Sequence, residues 1–301
     1  MNDRKTFLEN AGGFLALSAA SPFLGATTLA PITSGQRAYV AGKYAIELDG
    51  VAAGWLQKAT GGSVFAEPPP PTDKQKPPPP VDVRVEPIAI ECGAGMSRAF
   101  YNWLKGSFGA GGQRKDGSII AADYDYREVW RLNFFNATLS DITFPALDAA
   151  SKDAAFLSLK INAERIRRLV PGGSVSQTFG GANPQVQKRW LPSNFRLTIP
   201  SIDCKSVSKI ERIASGGPQN LVVTLAESHS ADFSQWKLLG GSKSATLEYL
   251  EPNLQTPLFV LTFGGVQPAR IEPDKLGGPE SLRRTTVTLG YGNVALTQTP
   301  A

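Results

Sequence analysis

Histidine and cysteine are scarce in this sequence: its 301 residues include one histidine, His229, and two cysteines, Cys92 and Cys204. Three such side chains are too few for a Cys/His zinc site. Any catalytic scheme based on histidine would rest on His229, which stands between two serines without a positioned partner. Asp123 and Asp125 alternate with tyrosines, but no further ligands accompany them. We therefore expect no catalytic, cofactor-binding or metal-binding residues, and a protein that is not an enzyme.

The sequence also lacks a large excess of charge of one sign, and it has no long apolar runs. The chain has 31 Lys and Arg against 26 Asp and Glu, a formal net charge of +5. This mild excess is not the dense basic stripe typical of nucleic-acid binders, so no specific nucleic-acid binding is expected. No segment has the roughly 20 strongly apolar residues that a membrane helix needs, so no transmembrane span is expected. With 42% hydrophobic residues, the chain is long enough for one large domain or two ordinary ones.

Residues 1–36 have the features of an export signal. Arg4 and Lys5 precede an x-Phe-Leu sequence and a Gly/Ala-rich stretch without charge until Arg37. This order resembles a twin-arginine signal, with Lys5 in place of the second arginine. Two interpretations stay open. A used signal implies a periplasmic or extracellular protein, whereas a retained, extended segment that docks on a neighbouring subunit implies cytoplasmic assembly or a place in a virion or injection particle.

Glycine and proline are abundant, at 30 and 23 residues, which suits many short strands. Apolar residues alternate with polar ones in several segments, the pattern of half-buried strands: Tyr44, Ile46 and Leu48; Trp130, Leu132 and Phe134; Leu157, Leu159 and Ile161. One helix is predicted from the N-cap Ser97 through Phe100, Trp103 and Phe108, ending at Gly109. The pattern predicts a mainly β fold.

The second half of the chain repeats these patterns. Phe195, Leu197 and Ile199 match the first strand at an offset of 151, and Phe233 and Trp236 match the helix at 133. Later residues match at 129, such as Leu261 with Leu132. Self-similarity of this kind predicts a duplicated supersecondary unit. We expect an N-terminal segment over 1–36 and domains over 37–168 and 190–299, joined by a linker over 169–189.

The first copy carries about 18 additional residues between its first strand and its helix. Most lie in a Pro-rich insertion over 67–80, where eight of the thirteen residues 68–80 are proline. Such a run favours a stiff, solvated polyproline arm. Two roles stay open for it: an arm that spans a subunit boundary, and a surface loop without a partner.

Several segments of the first copy together resemble the tail tube proteins of contractile phages and related injection systems. They are a strand with an Asp-Gly-Val turn, a following strand, an aromatic helix, a strand ending in Asn-Ala, and a polar loop with a closing strand: 44–51, 53–55, 98–104, 130–137 and 148–161. The resemblance covers about residues 40–168, and 190–299 looks like a diverged second tube domain. It implies a mainly β fold of two tandem tail-tube-like β-sandwich or barrel domains, each with one flanking α-helix.

The resemblance also implies a function. Proteins of this family assemble into stacked six-fold rings around a channel, so we expect a structural component of a phage-tail-like tube or contractile injection assembly. Its partners would be copies of itself and other tail or baseplate components. Two domains in one chain suggest a trimer whose six domains form a pseudo-six-fold ring. The alternative is an exported β-rich binding protein or a carbohydrate-active module.

Assembly needs surfaces that a neighbour covers. Trp55, Tyr124 and Tyr126 are candidate assembly contacts, as exposed aromatic residues beyond those that the core needs. A channel wall would be built from the polar positions of the strands. For these we expect Glu47, Arg131, Asn133, Ser158 and Lys160 to face a lumen or solvent.

Overall fold

The structure, a computed structural model, describes residues 42–67, 82–108, 112–169, 173–175, 190–274 and 283–300. The predictions for the N-terminal segment, for the proline run and for most of the linker lie outside these residues. The described elements, in chain order, are β1 Lys43–Leu48, β2 Val51–Leu56, β3 Lys58–Thr60, β4 Val64–Glu67, β5 Asp82–Val85, β6 Ile88–Cys92, α1 Arg98–Ser107, β7 Lys115–Ala122, β8 Glu128–Phe144, β9 Leu147–Asp148, β10 Leu157–Asn162, β11 Arg165–Leu169, β12 Phe195–Thr198, β13 Val207–Ile210, β14 Ile213–Ala214, β15 Asn220–Ala226, α2 Ala231–Leu239, β16 Lys243–Leu250, β17 Pro257–Pro273, β18 Arg284–Gly290 and β19 Asn293–Gln298. The mainly β fold is confirmed.

Local sequence accounts for the elements that were predicted. The hairpin of β1 and β2 turns at Asp49 and Gly50, whose φ angles of 49° and 76° match a tight turn of the type that Asp-Gly favours. Helix α1 begins after Ser97, whose Oγ accepts a hydrogen bond from the Phe100 N–H at 3.4 Å. Both predicted helices are therefore present, with aromatic residues buried on the side that faces the sheets.

The strands form two large sheets with the same arrangement. The first has the order β2-β1-β7-β8-β10-β6-β3, and the second has the order β12-β16-β17-β18-β15-β13-β9. In addition, β11 and β14 pair with β8, and β19 pairs with β17. Six consecutive strands correspond: β12 takes the place of β1, β16 of β7, β17 of β8, β18 of β10, β15 of β6 and β13 of β3, whereas β2 and β9, at the ends of the two orders, have no counterpart. We call the parts before and after residue 189 the first and second halves.

The longest strands show the correspondence most directly. Strands β8 and β17 each have 17 residues and lie 129 positions apart. Each contains one residue with positive φ, Asn136 at 51° and Gly265 at 68°, again 129 positions apart. At these positions the strand changes partners, from β7 to β10 in the first half and from β16 to β18 in the second. The sequence offsets thus correspond to a repeated strand topology.

The two halves share one hydrophobic core. Buried residues of both sheets and of both helices belong to a single apolar cluster. At its centre, aromatic rings from the two halves pack together: the ring centroids of Trp190 and Phe259 lie 4.6 Å apart, and the Phe144 ring lies 5.4 Å from Tyr249 and 5.6 Å from Phe259. The core is therefore continuous between the halves. The expected division into two domains with a linker stays a prediction.

Both cysteines are free thiols, Cys92 buried and Cys204 partly buried. Burial raises the pKa of Cys92 above its usual range and is also the main cause that raises the pKa of Cys204 to about 11. Only the thiolate reacts with alkylating reagents. Against the ordinary value of 9.0, a pKa of about 11 leaves roughly one hundredth of the usual thiolate near neutral pH.

We therefore expect Cys204 to be alkylated by iodoacetamide about 100-fold more slowly in the native protein than in the unfolded chain. Intact mass recorded over time, with and without denaturant, measures both rates. The variant Cys204→Ser isolates Cys92, which should react more slowly still. Equal rates in the native and unfolded chains would contradict the prediction.

Candidate assembly surface

Part of the face of the first sheet that points away from the main core is polar. One row of neighbouring positions crosses four strands: Glu47 on β1, Ser118 on β7, Asn133 on β8 and Arg167 on β11. The Ser118 Oγ donates to Asn133 Oδ1 at 3.0 Å. Because side chains alternate along a strand, the buried neighbours of these residues fill the core while this row faces outward.

Arg131 is held on the same face by two carboxylates. Its Nε donates to Glu128 Oε1 at 2.7 Å, and its Nη1 bonds to Glu47. Burial by itself lowers the pKa of the guanidinium, but the hydrogen bonds to Glu128 and Glu47 outweigh it and raise that pKa above its ordinary value. The arginine is therefore a permanently charged group with a fixed orientation, framed by opposite charges.

The polar face continues into the other part of the first sheet. Ser158 on β10 stands opposite Thr143 and Glu91, and Lys160 pairs with Asp141 at 3.3 Å. Acidic and basic groups alternate here, and neither sign dominates. All five polar residues predicted to face a lumen or solvent thus lie on the outward face, as expected.

The candidate aromatic contacts separate into two groups. The expected exposure of Trp55 and Tyr126 is wrong, because only 2% of Trp55 and 8% of Tyr126 is accessible. Their rings pack edge to face at 5.6 Å in a small second cluster with Ala45, Ile120, Ala122 and Val175. Tyr124 is 73% exposed and remains a candidate contact.

The burial of Tyr126 has a backbone cause. Asp123 Oδ1 accepts the N–H groups of Asp125 and Arg127, both at 2.9 Å, and closes a turn. The Val175 N–H then donates to the Tyr126 carbonyl at 2.7 Å. This contact brings residues 173–175 over the outward side of β1 and β7, where they cover the tyrosine. The two aspartates therefore shape a turn.

Two groups of exposed apolar residues were not singled out from the sequence. One lies on the two-stranded hairpin of β4 and β5, where Val64, Phe65 and Val83 are 57%, 48% and 61% exposed. The other lies on α2, where Leu238 and Leu239 are 87% and 78% exposed. The available signals were the Pro-rich run beside the hairpin and the leucines after Trp236 in the second helix.

His229 is the remaining polar residue considered from the sequence. His229 is half exposed, with its Nδ1 3.7 Å from Asp203 Oδ2. Across the described ranges, no three His, Cys, Asp or Glu side chains gather as metal ligands would. In the same part of the chain, neither helix has the length and apolar character to cross a membrane.

Comparison of the sequence with models of known protein families finds a match in the first half of the chain. Residues 42–167 match the model of the T4-like virus tail tube protein gp19 family, as the resemblance predicted. The matched segment begins one residue before β1 and ends within β11. Among curated proteins, none matches the chain.

Three solved structures are similar in part. The cap that terminates the tube of the anti-feeding prophage is 17% identical, with 47% of this chain and 99% of that chain covered and a TM-score of 0.37. Hcp1 from Flavobacterium johnsoniae is 19% identical, with 44% and 99% covered and a TM-score of 0.30. The sheath/tube terminator of the extracellular contractile injection system PVC, in its extended state, is 16% identical, with 46% and 100% covered and a TM-score of 0.36.

Proposed function

We propose, from the tail-tube-like family to which residues 42–167 belong, that this chain is a structural building block of a phage-tail-like tube or contractile injection assembly. The family match is the observation that carries the proposal. It spans β1 to the greater part of β11, so it includes helix α1 and every strand of the first sheet except β14. In this role the protein acts by assembling, without catalysing a reaction.

Assembly proceeds through contacts between strands of neighbouring subunits. Among the described residues, β2, β3, β11 and β12 each have a strand partner on one side only. The free N–H and C=O groups of such edges are templates for a further strand. In a ring each edge is covered by a neighbour, which satisfies these groups and blocks uncontrolled pairing.

The ring contains six similar units from three chains. Support for this number comes from the common strand order of the two halves, which gives each chain two units of related shape. A closed ring forms when the same rotation relates successive units. Copies of the chain are therefore the first partners, and other tail or baseplate components contact the finished ring.

The polar part of the outward face of the first sheet lines the channel. Glu47, Arg131 and Lys160 lie on this face with charges of both signs. A wall with balanced charge binds neither anionic nor cationic cargo strongly, because fields of opposite sign cancel over a few ångströms. Such a wall allows passage of cargo without holding it.

Native mass spectrometry and negative-stain electron microscopy of the purified full-length chain test the proposal. We expect closed particles whose mass is a multiple of three chains, with a central channel, and stacked particles at high concentration. A chain that stays monomeric at all concentrations would contradict the proposed function. A monomer that retains a soluble ligand through purification would instead support the exported binding protein.

A further inference from the structure

Short strands from each half form the junction between the two halves. Strand β14 pairs with the end of β8, matching Ile213 with Phe144, and β9 pairs with β13, matching Leu147 with Ile210. Each half thus lends a short strand to the other. Here and below, the end of β8 means 138–144, and the end of β17 means 267–273.

Helix α1 contributes to the same junction. Its Tyr101 ring lies 5.8 Å from Phe259 on β17, and its Lys105 Nζ donates to the Thr297 carbonyl on β19 at 3.1 Å. The first half therefore contributes α1, β9 and the end of β8. The second half contributes β13, β14, β19 and the beginning of β17.

The end of β8 and helix α1 are packed against the second half. Their equivalents in the second half, the end of β17 and helix α2, are less buried. At the offset of 129, the buried Ile142 and Phe144 correspond to Ile271, which is partly buried, and Pro273, which is exposed. In the described chain, the end of β17 pairs with β18 alone, whereas the end of β8 lies between β10 and β14. No described strand occupies the place beside β17 that is equivalent to that of β14.

Helix α2 is more exposed than α1, since the buried Leu104 of α1 corresponds to the exposed Lys237 of α2. Phe100 and Trp103 correspond to Phe233 and Trp236, which sets the offset at 133. At this offset, Lys105 corresponds to Leu238, which is 87% exposed. Its neighbour Leu239 is 78% exposed, so the two leucines form a contiguous apolar surface, and contiguous exposed apolar surfaces mark sites of protein–protein contact.

The first half carries the matching elements on its own outer side. Strand β11 corresponds to β19, and Trp130 occupies the position of Phe259. Strand β4 follows β3 as β14 follows β13. The hairpin of β4 and β5 has no further strand partner among the described residues, and its Val64, Phe65 and Val83 are exposed.

We propose that a second copy of this chain repeats the junction between molecules. The hairpin of β4 and β5 of one copy pairs beside the end of β17 of the next, and α2 of that next copy packs against β11 and Trp130 of the first. We assign a second copy as the partner because, within one chain, equivalents of these two surfaces already pack against each other at the junction between the halves. The contact is head to tail, so it closes into a ring when the rotation permits. This inference rests on the proposed function and identifies the surfaces that build the ring.

A complementation experiment tests this arrangement. One variant, Leu238→Glu with Leu239→Glu, places charges on the helix surface, and a second, Phe65→Glu with Val83→Glu, places them on the hairpin. All four positions are exposed, so both variants should fold, which circular dichroism verifies. Leu254→Glu, at a position 55% exposed in the turn between β16 and β17, which belongs to neither surface, is the matched control.

Native mass spectrometry of each protein, alone and mixed, measures the result. Each double variant alone should be monomeric, and Leu254→Glu should assemble like the unaltered chain. The mixture should form a dimer, because one intact helix surface meets one intact hairpin surface. Rings from either double variant, or a mixture that stays monomeric, would overturn the inference while leaving the proposed function in place. An unaltered chain that is itself monomeric would contradict the proposed function.

Discussion

Replacing Phe259 with alanine is expected to lower the free energy of unfolding by about 3–5 kcal/mol, the usual cost of removing a buried phenylalanine. Phe259 is fully buried and its ring contacts Tyr101 and Phe144 of the first half and Trp190 and Tyr249 of the second. Truncation leaves a cavity that these rings cannot fill, because each is fixed by its own neighbours. Denaturant titration followed by tryptophan fluorescence and circular dichroism, at one protein concentration, measures the loss.

The shape of the transition tests the shared core. If the halves fold as one cooperative unit, both signals shift together in Phe259→Ala and a single transition remains. Two separated transitions, of which one alone moves, would show that the halves are independent. Phe135→Ala serves as the control. Its ring lies on the opposite face of β8 with the Arg165 guanidinium 4.6 Å away, so its removal should cost no more than about 1 kcal/mol.

Gly117→Ala is expected to destabilise the chain by about 3 kcal/mol, at the upper end of the usual cost of overpacking. A Cβ at this position would lie 2.3 Å from the Glu47 carbonyl oxygen and 2.4 Å from Phe134 Cζ. The carbonyl belongs to β1, which is paired on both sides, and the Phe134 ring is buried and stacked on Trp103. Neither group can move without shifting a strand or opening the core.

Gly290→Ala is the matched control, since Gly290 is also a strand glycine. A Cβ there would meet only Asn220 Oδ1, at 4.0 Å, so the change should stay within about 0.5 kcal/mol. Chemical denaturation of both variants beside the unaltered chain gives the comparison. A Gly117→Ala protein as stable as Gly290→Ala would show that β1 and β7 adapt more readily than their pairing indicates.

Much of the fold could be predicted from the sequence because its signals are local. The alternation around Ile46, Leu132 and Leu159 reflects the two-residue period of a strand with one buried face. The N-cap Ser97 and the Asp-Gly turn act through hydrogen bonds and dihedral preferences within a few residues. The internal offsets extended this reasoning across the chain, since two segments with the same pattern adopt the same strands.

The candidate assembly surface could be predicted only in part. The polar positions of the strands follow from alternation, and Glu47, Arg131, Asn133, Ser158 and Lys160 lie on the outward face as expected. The exposure of aromatic residues cannot be predicted from this alternation. Trp55 and Tyr126 are buried because residues 173–175, about 50 positions after Tyr126, pack on the same sheet. No local pattern specifies such a contact.

The sequence by itself determined the mainly β class, both helices, the principal strands and the resemblance to tail tube proteins over the first half. Tertiary structure alone decided that β9 and β14 cross between the halves, that one aromatic core joins them, and that Gly117 has no room for a side chain. It also decided which edges and which leucines remain uncovered. The physical reason is that strand formation depends on neighbours along the chain, whereas strand partners and buried faces depend on contacts between distant residues, whose pairing the local pattern leaves undefined.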